Sequence, residues 1–487
     1  MKKVNKLINM NFFGGYLISA ILICVMTIIF NSFDSQYNNT ISNAIIITSL
    51  LSLGIGLLSL YRYKKISVNN IIWLIFLCSL FVKIGYAIKY PYTVNQHDLE
   101  TIDANGHLNY IYRLAEFKGL PDTNEWQLYN PPLHYIISSV FFNISRLFGW
   151  SIDESFENLQ MLTVFWSSSV SIIGLKISRR FNFKGLPLIL TFALIAFHPF
   201  FTVLGGSINN DALALFLVTV SLYYLIKYQQ SLKSVDLALF SISAGMSIMT
   251  KYSAFFAIFA MLIYLAAYSI RINKISIKGI ALTLVPIMIL GFWFWARNAV
   301  LFGQNIVHYN KLNQYSLLYI PYPFISRIFT VTGHEFSLPY CNPFNDMNII
   351  LYSLKNSLFG EFTFNSVTQG FILLFLNVIF VLATVISIIV FIKKRSAFAP
   401  KKCYIPILFV FVTQIVFYLL YSFIEPYGCS MNLRIVPMTI LCGIIMFGYL
   451  IKFVHIRART SKLFVVLYAA FLIGIVLFVI LSSTVFI

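Results

Sequence analysis

Apolar runs of about 20 residues, the length that crosses a hydrocarbon core as a helix, recur along the whole chain with short polar punctuation between them. They predict spanning helices near 12–30, 41–60, 71–89, 159–177, 186–204, 208–227, 237–250, 252–270, 279–297, 370–392, 403–424, 434–453 and 463–485. Period-two alternation, the mark of a membrane barrel, is absent. The pattern therefore predicts an all-α polytopic membrane protein with about thirteen transmembrane helices. The first run is long enough to span and carries no small-residue cleavage pattern, so it reads as an uncleaved anchor. The segment Pro131–Trp150 is also apolar, yet counting it as a crossing would put the Arg179–Arg180 loop outside and the acidic Asp153–Glu154–Glu157 loop inside. It is expected to re-enter or lie along the membrane face, with a double proline at its start. Five regions follow: N-terminal helices (1–89), a first long loop (90–158), central helices (159–297), a second long loop (298–369) and C-terminal helices (370–487).

Composition agrees, because 59% hydrophobic residues and 10% charged cannot describe a soluble domain of 487 residues. Basic residues gather in short loops: Lys2, Lys3 and Lys6; Arg62, Lys64 and Lys65; Arg179, Arg180 and Lys184; Arg271, Lys274 and Lys278. Further clusters are Lys393, Lys394, Arg395, Lys401 and Lys402, and then Lys452, Arg457, Arg459 and Lys462. The positive-inside rule places these in the cytoplasm, with the N-terminus inside and the C-terminus outside. The net charge of +19 thus records topology. Cations that only punctuate hydrophobic helices also argue against a nucleic-acid partner. On this topology every one of the 16 Asp and Glu residues except Asp236 falls at the outer side, with six of the seven histidines. Chemistry is expected there, on an extracytoplasmic surface built from the two long loops and the connections near 205–211 and 425–433.

The stretch from Gln96 to Tyr135 is the most polar in the chain and concentrates His97, Asp98, Asp103, His107, Tyr129 and His134. Ionisable groups beside lipid are costly, so these are the first candidates for chemistry. Asp211 opens a predicted span, where it can either cap the helix or line a cleft. Arg297 and Arg434 lie at outer helix ends, where snorkelling is the plain reading and anion binding the sharper one. The second loop carries His308, Lys311, Arg327, His334, Glu335 and Lys355 among many aromatics. It suits an interfacial anchor, or alternatively a phosphate site using one or two of its cations.

Several motifs in series carry a family resemblance. They are Asp103-Ala-Asn-Gly-His107 with the following LNYIYRLAEFKGLP, YNPPLHYII from Tyr129, and Gly206-Ser-Ile-Asn-Asn-Asp211 ahead of Leu-Tyr-Tyr-Leu. Thr250-Lys251-Tyr252, Trp295-Ala-Arg297-Asn298 and Met431-Asn-Leu-Arg434-Ile-Val-Pro437 follow in order. From about residue 90 to 440 the chain resembles the polyprenol-phosphate-sugar-dependent glycosyltransferases of the C superfamily, the protein O-mannosyltransferase-like and aminoarabinose transferase-like enzymes. The resemblance implies an inverting transfer from a polyprenyl-phosphate sugar to an acceptor hydroxyl on protein, lipid or cell-surface polymer, at the outer face of a bacterial plasma membrane. A carboxylate of the first loop would be the general base. Asp98, beside His97, is preferred slightly over Asp103, because relatives follow the first acid with Glu where this chain has Ala104. His97, His107, Tyr129, His134, Asp211, Arg297, Asn298 and Arg434 become candidate substrate contacts, the arginines for the departing phosphate.

No cofactor is defined, and a divalent metal on His97, Asp98, His107 and His134 is chemically permitted although their spacing does not specify one. Cys341 and Cys429 are the two cysteines expected outside, able to pair or to stay free. A polysaccharide polymerase or ligase and a transporter or flippase are the alternative functions. Transport would call for paired charges or broken helices near the bilayer midplane, where Lys83 is the clearest charge. The short cytoplasmic loops leave no room for a nucleotide-binding fold, which fits a lipid-linked donor.

Overall fold

The computed structural model describes residues 12–31, 33, 35–94, 106–125, 128–273, 276–304, 315–360, 362–364, 366–393 and 401–487. Its helices in chain order are α1 (Phe12–Phe30), α2 (Asn38–Arg62), α3 (Val68–Lys89), α4 (His107–Ala115), α5 (Leu133–Leu147) and α6 (Ile152–Arg180). There follow α7 (Gly185–Phe197), α8 (Pro199–Gly205), α9 (Asp211–Ser231), α10 (Ser234–Ile248), α11 (Ala254–Arg271) and α12 (Ile277–Phe302). The last six are α13 (Phe324–Phe329), α14 (Ile349–Phe359), α15 (Val367–Lys393), α16 (Lys401–Ile424), α17 (Met438–Arg457) and α18 (Lys462–Thr484). Among the described residues there is no strand, only an isolated antiparallel bridge between Tyr319 and Tyr427.

Each span expected from the apolar pattern coincides with one of these helices, except 186–204, which falls on the bent pair α7–α8. Among the described residues ten are long and apolar enough to cross a membrane, or eleven if the bent pair α7–α8 is one span; α1 and α10 are apolar but shorter. The Pro131–Trp150 segment forms α5, whose 15 residues mix polar and apolar faces and pack against α4 and α6. It is not among the helices suited to crossing.

The local causes are legible. Ser151 accepts the Glu154 amide while the Glu154 carboxylate accepts the Ser151 amide, so a full capping box starts α6 at Ile152, seven residues ahead of the expected span. Pro199 at the first turn of α8 breaks the α7–α8 pair at His198, bending it by 41°. Pro286 removes an amide from α12, and a π-turn at Met288–Phe292 follows it. Gly245 faces this irregular stretch, where a Cβ would come within 2.8 Å of the Pro286 carbonyl, so its bareness sets how closely α10 meets α12.

Helices α3, α6, α9 and α17 share the main core, with Phe76, Ile173, Leu222 and Leu441 among its fully buried members. Arg62, Arg180, Arg271, Lys393 and Arg457 close their helices at one end of the bundle. The opposite end carries both long loops, each with a core of its own. Tyr92, Tyr110, Tyr135, Phe142 and Phe156 pack the first loop onto the start of α6. Ile320, Tyr352, Tyr418, Met431 and Leu433 pack the second onto α16 and the turn before α17.

Two second-loop cations expected as phosphate candidates are instead committed inside this core. Arg327 donates to the Ser422 carbonyl at 2.7 Å, and Lys355 pairs with Asp346 at 3.0 Å, both partners being buried. Desolvation makes an uncompensated buried ammonium costly, which accounts for the Lys355–Asp346 pair; Arg327 has only the Ser422 carbonyl for its Nη1, and its Nε and Nη2 are buried without a hydrogen-bond partner among the described residues. Cys341 and Cys429 form no disulfide. Replacing Asp346 with Ala leaves Lys355 buried and uncompensated, and is expected to destabilise the loop by about 3–5 kcal/mol. Hydrogen exchange across 315–360 should accelerate in Asp346→Ala and recover when Lys355→Met is added; unchanged protection in the single variant would contradict the structural role.

Candidate active site

The motif-bearing segments converge at the loop-bearing end of the bundle. Asn209 accepts the Asp211 amide through its side chain at 3.0 Å, a local turn that launches α9 with Asp211 in its first turn. Asn210 reaches both ways, donating to the Thr250 carbonyl at 3.1 Å and to Asn130 Oδ1 at 3.4 Å. The Leu133 amide donates to the Met249 carbonyl at 3.0 Å. Three stretches far apart in sequence, around residues 130, 210 and 250, are thus laced into one surface.

Asp211 is buried, and an acid there must be paired. Its carboxylate holds Lys251, which sits in the turn between α10 and α11. Arg434 also acts electrostatically on Asp211, as does His107. Asp211, Lys251, Arg434 and Gln414 line one narrow crevice between α9, α11, α16 and the segment leading into α17. The three charges sum to a single positive charge.

Above this crevice lies an aromatic and imidazole cluster. The His107 Nδ1 and the Tyr135 hydroxyl are 2.7 Å apart, and Tyr135 stacks on Tyr110 with ring centres 3.9 Å apart. His134 meets Tyr135 edge-on, and its Nε2 is buried without a hydrogen-bond partner among the described residues. Burial, helped by His107, pushes the His134 imidazole down to about 3, so it is neutral at physiological pH and offers a hydrogen bond, never a cation.

Arg297 is drawn to the first loop. It donates to Asn298 Oδ1 at 2.9 Å and to the Leu120 and Pro121 carbonyls at 3.4 and 3.5 Å, with its guanidinium over Phe294 and Phe302. It therefore pins the first loop to α12, a role beyond snorkelling. Thr123 donating to Gln304 at 2.7 Å, and Gln304 donating to Asn124 at 2.8 Å, reinforce the same junction. Asn298 is buried beside Tyr252, which in turn feels Tyr129. The site thus brings together His107, Tyr129, His134, Asp211, Arg297, Asn298 and Arg434. His97, Asp98 and Asp103 lie outside the described residues, as do His308 and Lys311. Among the described residues no group of three or more His, Cys, Asp or Glu side chains could hold a metal.

Sequence reasoning noticed Lys251 within its motif but gave it no role. Its signal was a lysine in a short turn at the acid-rich end, against the charge bias of the chain. Tyr135 and Asn210 likewise lay inside quoted motifs with no role given, whereas Gln414 carried no signal, since it matters only through long-range contacts.

The comparisons bear directly on this surface. Residues 130–295 match the family model described as Dolichyl-phosphate-mannose-protein mannosyltransferase. The match runs from Asn130 through Asp211 and Lys251 to Trp295, and so takes in the laced segments just described; it agrees with the resemblance read from the motifs and points to glycosyltransferase activity. No curated protein matches the chain.

The neutral His134 has a consequence for acid stability. An unfolded loop binds this proton near pH 6.5 and the folded one only near 3. Between those values the unfolded state holds more protons, so folding weakens as the pH falls. Protease resistance of the first loop is expected to drop below about pH 6, and His134→Gln to flatten that dependence; an identical pH profile in the variant would contradict the buried neutral imidazole.

Proposed function

We propose that the protein transfers a sugar from a polyprenyl-phosphate donor to an acceptor hydroxyl, with inversion, at the extracytoplasmic face of a bacterial plasma membrane. One observation carries the donor class. The segment Leu433–Pro437 borders two spaces, a small crevice beside a cluster of charged side chains and a larger apolar cavity. Arg434, Ile435 and Pro437 line the small crevice, and Asp211 and Lys251 belong to the same wall. Leu433 and Val436 face an apolar cavity of about 410 Å³ among α14, α15, α16 and α17, lined by residues such as Ile349, Phe380 and Tyr418. An anionic head with an apolar tail suits both sides of one short segment, whereas a water-soluble nucleotide sugar suits only one.

The chemistry follows as a single displacement. A first-loop carboxylate, Asp98 by preference or Asp103, takes the proton of the acceptor hydroxyl while its oxygen attacks the anomeric carbon. The bond from that carbon to the phosphate oxygen breaks, and the electron pair leaves with the polyprenyl phosphate. Arg434 and Lys251 hold the charge that grows on this leaving group. Asp211 keeps the two cations apart from each other's repulsion and leaves the crevice only one net positive charge, enough to bind the phosphate without trapping the product. Tyr129, His107 and His134 are placed to contact the sugar or order the loop above it.

Purified protein in lipid should consume one member of a panel of polyprenyl-phosphate sugars. Arg434→Ala and Lys251→Ala are each expected to lower kcat/KM by about 10- to 100-fold. Asp98→Asn or Asp103→Asn should lower kcat by about 10²–10⁴-fold while donor binding survives. Turnover that is indifferent to all four substitutions would sink this reading.

A further inference from the structure

Arg434 sits on irregular backbone, two short 3₁₀ turns between α16 and α17, so helix geometry does not fix its direction. A pair of asparagines holds that backbone. Asn432 accepts the Arg434 amide through Oδ1 at 2.9 Å. Asn356, from α14 in the second loop, accepts the preceding Leu433 amide through Oδ1 at 2.7 Å and donates its Nδ2 to the Gly360 carbonyl at 2.9 Å. Asn356 is fully buried, and the neighbouring Lys355 is locked by Asp346.

The second loop grips the same stretch elsewhere. The Ile320 amide donates to Pro426 and the Gly428 amide to Leu318, each at 2.8 Å. A Cβ on Gly428 would fall 2.0 Å from the Pro343 carbonyl, so the loop and the turn are in backbone contact. The amides on either side of Arg434's approach to the crevice are thus held by side chains, one of them delivered from 77 residues away in sequence.

We propose that Asn356 is a positioning residue for donor binding, setting through the Leu433 amide where the Arg434 guanidinium stands relative to Asp211 and Lys251. The inference rests on the functional reading above. It makes the second loop a determinant of phosphate affinity although none of its described residues lines the charged crevice. Losing Asn356 leaves the Leu433 amide buried and unsatisfied, and the turn relaxes to find it a partner. Arg434 then moves while every crevice side chain is still present.

The test is a double-substitution cycle on the full chain in lipid nanodiscs, reading the dissociation constant of polyprenyl phosphate. Arg434→Ala is expected to weaken binding about 10- to 100-fold and Asn356→Ala about 10-fold. If Asn356 acts through Arg434, the double variant binds no more weakly than Arg434→Ala alone, within about twofold. Asn356→Asp supplies a conservative check that stays folded: a buried carboxyl takes up a proton and then keeps both hydrogen bonds, so binding should recover further as the pH is lowered. Losses that multiply in the double variant, or wild-type binding by Asn356→Ala, would overturn the inference alone. Wild-type binding by Arg434→Ala would instead bring down the functional reading, and the inference with it.

Discussion

A buried carboxylate at a membrane surface must be compensated, and the loop-bearing end of this bundle is organised around that requirement at Asp211. The group is 2% exposed. Stranded, it would cost several kcal/mol. Lys251 and Arg434 provide the compensation from two other parts of the chain, α10–α11 and the approach to α17. The charge pairing therefore draws three separate helices together at the place where their polar motifs lie. What remains after pairing is one positive charge facing a narrow crevice, a disposition that an anionic headgroup can use.

Around that triad the fold uses amide side chains where a soluble protein would use water. Asn210 joins Asn130 to Thr250, Asn298 receives Arg297, and Asn432 with Asn356 holds the Arg434 turn. Each satisfies a backbone or side-chain group that would be orphaned near the hydrocarbon. Deeper in the bundle Lys83 donates to the Ser167 carbonyl at 3.3 Å. The paired charges described here gather at the end of the bundle, in keeping with chemistry at the membrane surface.

The spans were legible because apolar length alone decides them, and α2, α15 and α18 follow the hydrophobic pattern closely. Their ends were less so. The start of α6 needed the capping box at Ser151, and α17 starts at Met438, later than expected, because Pro437 and two 3₁₀ turns occupy the preceding residues. In the site, Asp211 and Arg434 stood out as charges against an apolar background. Their partners did not: Lys251 is 40 residues from Asp211, and Arg297 meets Leu120 across 177. Pairing over such separations is a property of the folded bundle, and one sequence shows only that charges exist which will need partners. The same limit hid the true use of Arg327 and Lys355, which look like free loop cations until their buried acceptors are seen.

A cluster of three charged side chains and an apolar cavity, both bordered by Leu433–Pro437, give the account its physical content. In the proposed function the Asp211–Lys251–Arg434 cluster would take the phosphate, and the cavity behind Leu433 and Val436 the isoprenoid chain. The match of residues 130–295 to the mannosyltransferase family takes in the laced segments around residues 130, 210 and 250. The most direct measurement is an experimental structure of the protein in nanodiscs with polyprenyl phosphate bound. The account predicts the phosphate within about 3 Å of the Lys251 ammonium and the Arg434 guanidinium, with the first isoprene units against Leu433 and Val436. A phosphate seated elsewhere, with the Asp211–Lys251–Arg434 crevice closed, would contradict it.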